Sequence, residues 1–217
     1  MIKRLPKELY NTRELRNQNI YYFYSDDDIT KGTAYLFGPE DTPYEHIPLE
    51  FSFTIPTDYP FVPPKVTYLT NDRFTRFHPN FYIEGKVCLS ILGTYSGPKW
   101  VSSLNVSSIL LSIYSLITKN PLQHEPGYET LNEHHPKCSQ YSDYVEHNLV
   151  KLFFENYDLY KKIEDEEFQL VLQKSREKLI EKVSQKAKNQ ELFYTILPYG
   201  MSGGTSWKKL SVKYVKN

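Results

Sequence analysis

The chain has 217 residues, 40% hydrophobic and 24% charged, and its 26 basic and 26 acidic residues cancel to zero formal net charge. That length supports one substantial core, or one core with an appendage. The charge balance excludes a general attraction to nucleic acid or to a membrane surface, and the 15% aromatic content excludes a disordered chain.

In chain order, residues 3–18 place Leu5, Leu9 and Leu15 among charges, which predicts a short amphipathic helix. Four strand-like runs follow at 20–25, 32–38, 48–56 and 64–70. The first leads into the acidic turn at 26–28, and the third alternates Leu49, Phe51, Phe53 and Ile55 on one face. Joined by Gly, Pro and Asp turns, these runs predict an antiparallel meander. Prolines fill 56–64, a rigid connector, and 71–102 is a long segment rich in turn signals, of the kind that carries function. A helix is predicted over 102–121, capped by Ser102 or Ser103 and ended by Pro121, with further helical pattern at 127–136 and 138–156. Residues 164–190 are highly charged and keep no heptad, which predicts a solvated helix. The last segment mixes aromatics with a glycine-rich break.

The only cysteines, Cys88 and Cys138, make no disulfide framework. No run approaches the roughly 18 apolar residues of a membrane helix. The first residues, MIKRLPKELYNTREL, are charged and carry no apolar signal segment. These features predict a cytoplasmic or nuclear protein. Cys88 follows Gly85 in HPNFYIEGKVCLSILG and precedes the apolar Leu89, Ile91 and Leu92. A thiol there serves as a packing residue, half of a disulfide, a metal ligand or a nucleophile. No protease signature surrounds it. A zinc site built on His134, His135 and Cys138 lacks a second cysteine pair, and adjacent histidines rarely ligate one ion.

The ordered set of motifs resembles the ubiquitin-conjugating enzyme family. His78-Pro79-Asn80 with Cys88 eight residues after Asn80, GPEDTPYE at 38–45, PTDYPFVPPKV at 56–66, GKVCLSIL, Trp100, SSILLSIYSLI and NPLQHEPGYE at 120–129 carry the resemblance. It implies an α+β fold, with an N-terminal helix, a four-stranded antiparallel meander and C-terminal helices. It places a conjugating core over 1–156 and a charged helical extension over 157–217. It implies no cofactor. The implied partners are ubiquitin or a ubiquitin-like protein, its activating enzyme, substrate proteins and a ligase, with no nucleic acid and no membrane.

By resemblance, Cys88 accepts the modifier's carboxyl terminus as a thioester and passes it to a substrate lysine. Asn80 stands where an amide helps the oxyanion, or holds the loop as a turn residue. His78 and Pro79 brace the loop. Glu125 matches the position of an acid that orients and deprotonates the lysine, and His124 beside it has a side chain that titrates near neutral pH. Ser90 stands where the family often has Asp. Phe61 and Pro63 in the connector, with Trp100 and Ser102, match the ligase-docking surface, although Val101-Ser102-Ser103 replaces the family's Ser-Pro-Ala. The stretch from Cys88 to Trp100 is longer than in minimal members and resembles the larger divergent ones, hybrid conjugating-enzyme and ligase proteins among them. The other reading is a non-catalytic ubiquitin-binding adaptor, a form that usually lacks the cysteine.

Overall fold

In the computed structural model, which describes residues 4–25 and 27–215, the helix α1 (Leu5–Asn11) continues into a 3-10 turn (Thr12–Gln18). The start of the expected helix at Lys3 and the acidic-turn residue Asp26 lie outside the described residues. Strands β1 (Ile20–Tyr24), β2 (Lys31–Phe37), β3 (Pro48–Thr54) and β4 (Lys65–Tyr68) form one antiparallel sheet in sequential order. The register sets Tyr22 opposite Ala34, Ala34 opposite Phe51 and Phe51 opposite Tyr68, so one face carries an unbroken apolar row. These residues are buried in one core with Leu5, Leu9 and the Val106, Ile109, Leu110 and Ile113 stripe of α2 (Val106–Tyr114). Gly32 lies on the same face in the next row, between Tyr24 and Phe53, where a Cβ would run into the Tyr22 hydroxyl.

The other parity of the sheet is aromatic too: Tyr21 and Phe23 from β1, Tyr35 and Phe37 from β2. After α3 (Pro136–Tyr160), α4 (Glu166–Lys186) crosses that face and sets Phe168 against all four rings, with centroids 5.3–5.8 Å apart. The helix at 164–190 is therefore present but not solvated. Phe168, Leu172, Ser175, Leu179 and Val183 form a buried stripe at spacings of four and three. Asp165 caps α4 through Phe168 N–H at 2.9 Å and pairs with Arg16 at 2.7 Å. The α3 helix runs through position 156 without a break. Beyond α4, a two-stranded hairpin, β5 (Leu192–Tyr194) with β6 (Gly203–Thr205), leads to α5 (Trp207–Tyr214), which packs on α4 and α3.

Two helix expectations change. The central helix runs from Val106 to Tyr114, neither starting at Ser102 or Ser103 nor reaching Pro121. Asn105 accepts from Ser108 N–H at 2.9 Å while its own N–H donates to Ser108 Oγ at 3.3 Å, a capping box written with Asn and Ser. Ser102 lies in the preceding turn, where its carbonyl accepts from Arg4 at 2.5 Å. The stretch 127–135 is a chain of turns. Asn120 and Gln123 both donate to Leu131 O, and the Glu129 and Asn132 side chains accept from the N–H groups of Gly127 and His134, offering the backbone partners other than a helix.

Candidate active site

The segment from Arg76 to Leu89 folds as a compact hairpin against β4. Phe81 bridges Val87, the tight return is closed by Gly85 N–H to Tyr82 O at 2.9 Å, and Tyr68 N–H ties it to the sheet at Gly85 O, 2.8 Å. Gly85 has φ +94, a backbone that L side chains rarely adopt, and a Cβ would meet Thr67 at 2.7 Å. The Phe81 ring anchors the hairpin between Phe51, Tyr68 and His78, with centroids 4.6–5.2 Å apart.

Within this frame Asn80 and Cys88 hold each other. Cys88 N–H donates to Asn80 O at 2.8 Å, and Asn80 Nδ2 donates to Cys88 O at 2.8 Å. Asn80 Oδ1 is buried and has no hydrogen-bond partner among the described residues. Cys88 is 5% exposed, so little of the residue reaches the surface. Both cysteines are free, and Cys138 is fully buried inside α3. Among the described residues no group of three metal-ligating side chains converges. His135 instead caps α3 by accepting from Lys137 N–H at 3.3 Å, and His134 stands exposed beside Glu133.

His78 is fully buried. Its Nδ1 accepts from Asn80 N–H at 3.0 Å, which leaves the proton on Nε2 to donate to Leu116 O at 3.0 Å. Burial first, then the nearby His124 and Arg76, hold its pKa well below the usual histidine value. His124 leans on the His78 ring at 5.2 Å, meets Thr118 Oγ1 through Nε2 at 3.3 Å, and is also pushed down by burial. Both rings are neutral at pH 7 and brace the turn between the hairpin and the loop after α2. Glu125 follows at the end of a short 3-10 turn (Pro121–His124) and accepts from the Tyr199 hydroxyl at 2.8 Å.

Ser90 opens a single 3-10 turn (Ser90–Leu92) just beyond the cysteine. Thr94 in the longer stretch folds back beneath that turn: its hydroxyl accepts from Leu89 N–H at 2.9 Å and donates to Val87 O at 2.6 Å. Trp100 Nε1–H donates to Pro60 O at 2.7 Å, which fixes the Pro-rich connector and leaves Phe61 80% exposed at its tip. Pro63 is half-buried and Ser102 exposed. The sequence offered no signal for Thr94, Arg76 or Tyr199. Arg76 donates to the carbonyls of His78 at 3.0 Å and Pro79 at 2.5 Å and so holds the turn from outside.

The family model described as "Ubiquitin-conjugating enzyme" matches residues 4–149, which covers the sheet, the hairpin with Cys88, α2 and most of α3. The chain belongs to the ubiquitin-conjugating enzyme family. It is 48% identical over 127 residues to human "Ubiquitin-conjugating enzyme E2 Z", a match covering 58% of this chain and 35% of that protein. It is 42% identical over 136 residues to the Caenorhabditis elegans "Probable ubiquitin-conjugating enzyme protein 17", covering 58% of this chain and 19% of that one. Against the human "Dual E2 ubiquitin-conjugating enzyme/E3 ubiquitin-protein ligase BIRC6", identity is 45% over 100 residues, covering 43% of this chain and 2% of that protein. The chain thus spans 35% of the human relative's length. The family match ends at 149, inside α3, so α4, the β5–β6 hairpin and α5 lie beyond it. No helix is long and apolar enough to cross a membrane among the described residues.

Proposed function

We propose that Cys88 carries ubiquitin or a ubiquitin-like protein as a thioester, accepted from an activating enzyme, and passes it to a substrate lysine, alone or with a ligase. The observation that carries this reading is the mutual bonding of Asn80 and Cys88 inside a turn braced by His78 and Arg76. The Cys88 thiolate attacks the thioester carbonyl on the activating enzyme, a C–S bond forms, and the donor's thiolate leaves. In the second step the lysine nitrogen attacks the same carbonyl. The C–N bond forms, the C–S bond breaks, and Cys88 departs as thiolate.

The lysine must shed a proton before or during attack. Glu125 is the acid assigned to receive the ammonium and take that proton, and His124, neutral and turned to Thr118, supports the loop that carries it. Asn80 supplies an amide N–H to the developing oxyanion as lysine attacks, besides holding the Cys88 carbonyl. The exposed Phe61, with Pro63, Trp100 and Ser102 behind it, is the surface assigned to a ligase. The setting of these partners is cytoplasmic or nuclear.

Incubation with an activating enzyme, ATP and a panel of modifiers, followed by a non-reducing gel, tests the reading. A band shifted by one modifier and removed by thiol reductant is expected. Cys88→Ala abolishes it and Cys138→Ala leaves it. A parent protein that takes no modifier of the panel sinks the proposal and turns attention to an adaptor.

A further inference from the structure

The extension reaches the candidate site through Tyr199. Its hydroxyl donates to Glu125 Oε2 at 2.8 Å, and its ring lies 5.0 Å from the Arg76 guanidinium, which also rests on the Tyr82 ring at 3.3 Å. Arg76 is the residue that holds the carbonyls of His78 and Pro79. Around this contact Arg76 N–H meets Met201 Sδ at 3.1 Å, and Arg76 O accepts from the Tyr141 hydroxyl at 2.7 Å. One side chain from residue 199 therefore touches both the acid assigned to the lysine and the arginine that clamps the Asn80 turn.

The backbone at Tyr199 is costly. It lies in the left-handed region, φ 63 and ψ 23, between Pro198 and Gly200. A bulky side chain is strained there, and glycine would adopt the same backbone freely. What the tyrosine adds at that cost is its ring on Arg76 and its hydroxyl on Glu125. Burial, the bond to Glu125 and the charge of that carboxylate hold the phenol well above its ordinary pKa, so it remains a donor.

We infer that Tyr199 is a positioning residue for lysine transfer, so that the C-terminal extension completes the lysine-receiving side of the site. This rests on the proposed function and deepens it. Bound at Oε2, the Glu125 carboxylate keeps Oε1 for the ammonium; among the described residues Oε1 takes no hydrogen bond. The ring on Arg76 steadies the turn that presents Asn80.

The test is single-turnover discharge of the charged full chain to free lysine and, separately, to water. Tyr199→Phe keeps the ring and loses the donor. It is expected to charge at the parental rate and hydrolyse at the parental rate, yet discharge to lysine about tenfold more slowly, the worth of one hydrogen bond to a charged group. Glu125→Gln slows the same step, and the double variant is no slower than Glu125→Gln alone, because the tyrosine acts through the carboxylate. Tyr199→Leu, which also frees Arg76, falls further than Tyr199→Phe. Parental discharge by Tyr199→Phe overturns the inference, as do additive losses in the double variant or an equal fall towards lysine and water. Faster discharge overturns it too, since the tyrosine would then be a block. A chain that never charges overturns the proposed function and this inference together, whereas charging with an indifferent Tyr199 leaves the function standing.

Discussion

The hairpin from Arg76 to Leu89 and the extension from Asp165 to Tyr214 serve one molecule in opposite ways. The hairpin closes its bonds locally: Asn80 to Cys88, His78 to Asn80, Tyr82 to Lys86, all within a dozen residues. The extension works at long range, placing Phe168 on β1 and β2, Asp165 on Arg16 and Tyr199 on Glu125. A local motif is legible as a string because its partners are written next to one another. A long-range contact is legible only once the intervening chain has folded.

The largest effect is expected where the two regions would part. Phe168→Ala removes a fully buried ring that meets Tyr21, Phe23, Tyr35 and Phe37, and should lower stability by about 3–5 kcal/mol in urea unfolding. A loss below about 1 kcal/mol would make α4 an independent appendage. Asn80→Ala sharpens the local side of the contrast. It is expected to charge normally and discharge to lysine about a hundredfold more slowly, the cost of one oxyanion donor. Equal discharge by variant and parent would leave Asn80 a loop residue only.

Acid separates the regions next. His78 in the hairpin and His147, packed in α3 against Trp207 with its Nε2 accepting from Ser206 N–H at 3.0 Å, are both held below the usual histidine pKa, chiefly by burial. Each binds its proton more readily unfolded than folded, so stability is fully present above the unfolded value near 6.5 and is lost as pH falls below it. Each should add up to about 1.4 kcal/mol of lost stability per pH unit in that window. Urea midpoints between pH 7 and pH 5 measure the slope, and His147→Gln should flatten it without touching discharge to lysine at pH 7. An unchanged slope in that variant would remove His147 from the account. The smallest effect belongs to Arg16→Ala. Its ion pairs with Asp165 and Glu167 are partly exposed, so the loss should be about 1 kcal/mol and shrink in high salt.

The strands were readable because alternation such as Leu49, Phe51, Phe53, Ile55 has one solution on a half-buried sheet. The stripe on α4 was hidden by composition. Ser175 occupies one of its buried positions and charges fill the other faces, so the segment looked solvated although its spacing was helical. The cap falls on Asn105, past Ser102 and Ser103, because Arg4 holds the carbonyls of Ser102 and Leu104 in the turn before the helix. At the site, Cys88, Asn80, His78 and Glu125 were named from the sequence. Arg76, Thr94 and Tyr199 were not, because their partners are carbonyls and a carboxylate that only the folded backbone brings within reach.

The sequence by itself determined the order of helix, meander and helices, since periodicity and turn chemistry act between near neighbours, and its resemblance to the family singled out Cys88 and the His-Pro-Asn turn. The tertiary structure decided that the charged extension is part of the body. It covers the second aromatic face of the sheet with Phe168 and carries Tyr199 to the edge of the site. Neither contact has a local signature, because the burial of apolar surface and the pairing of polar groups depend on which surfaces meet in space.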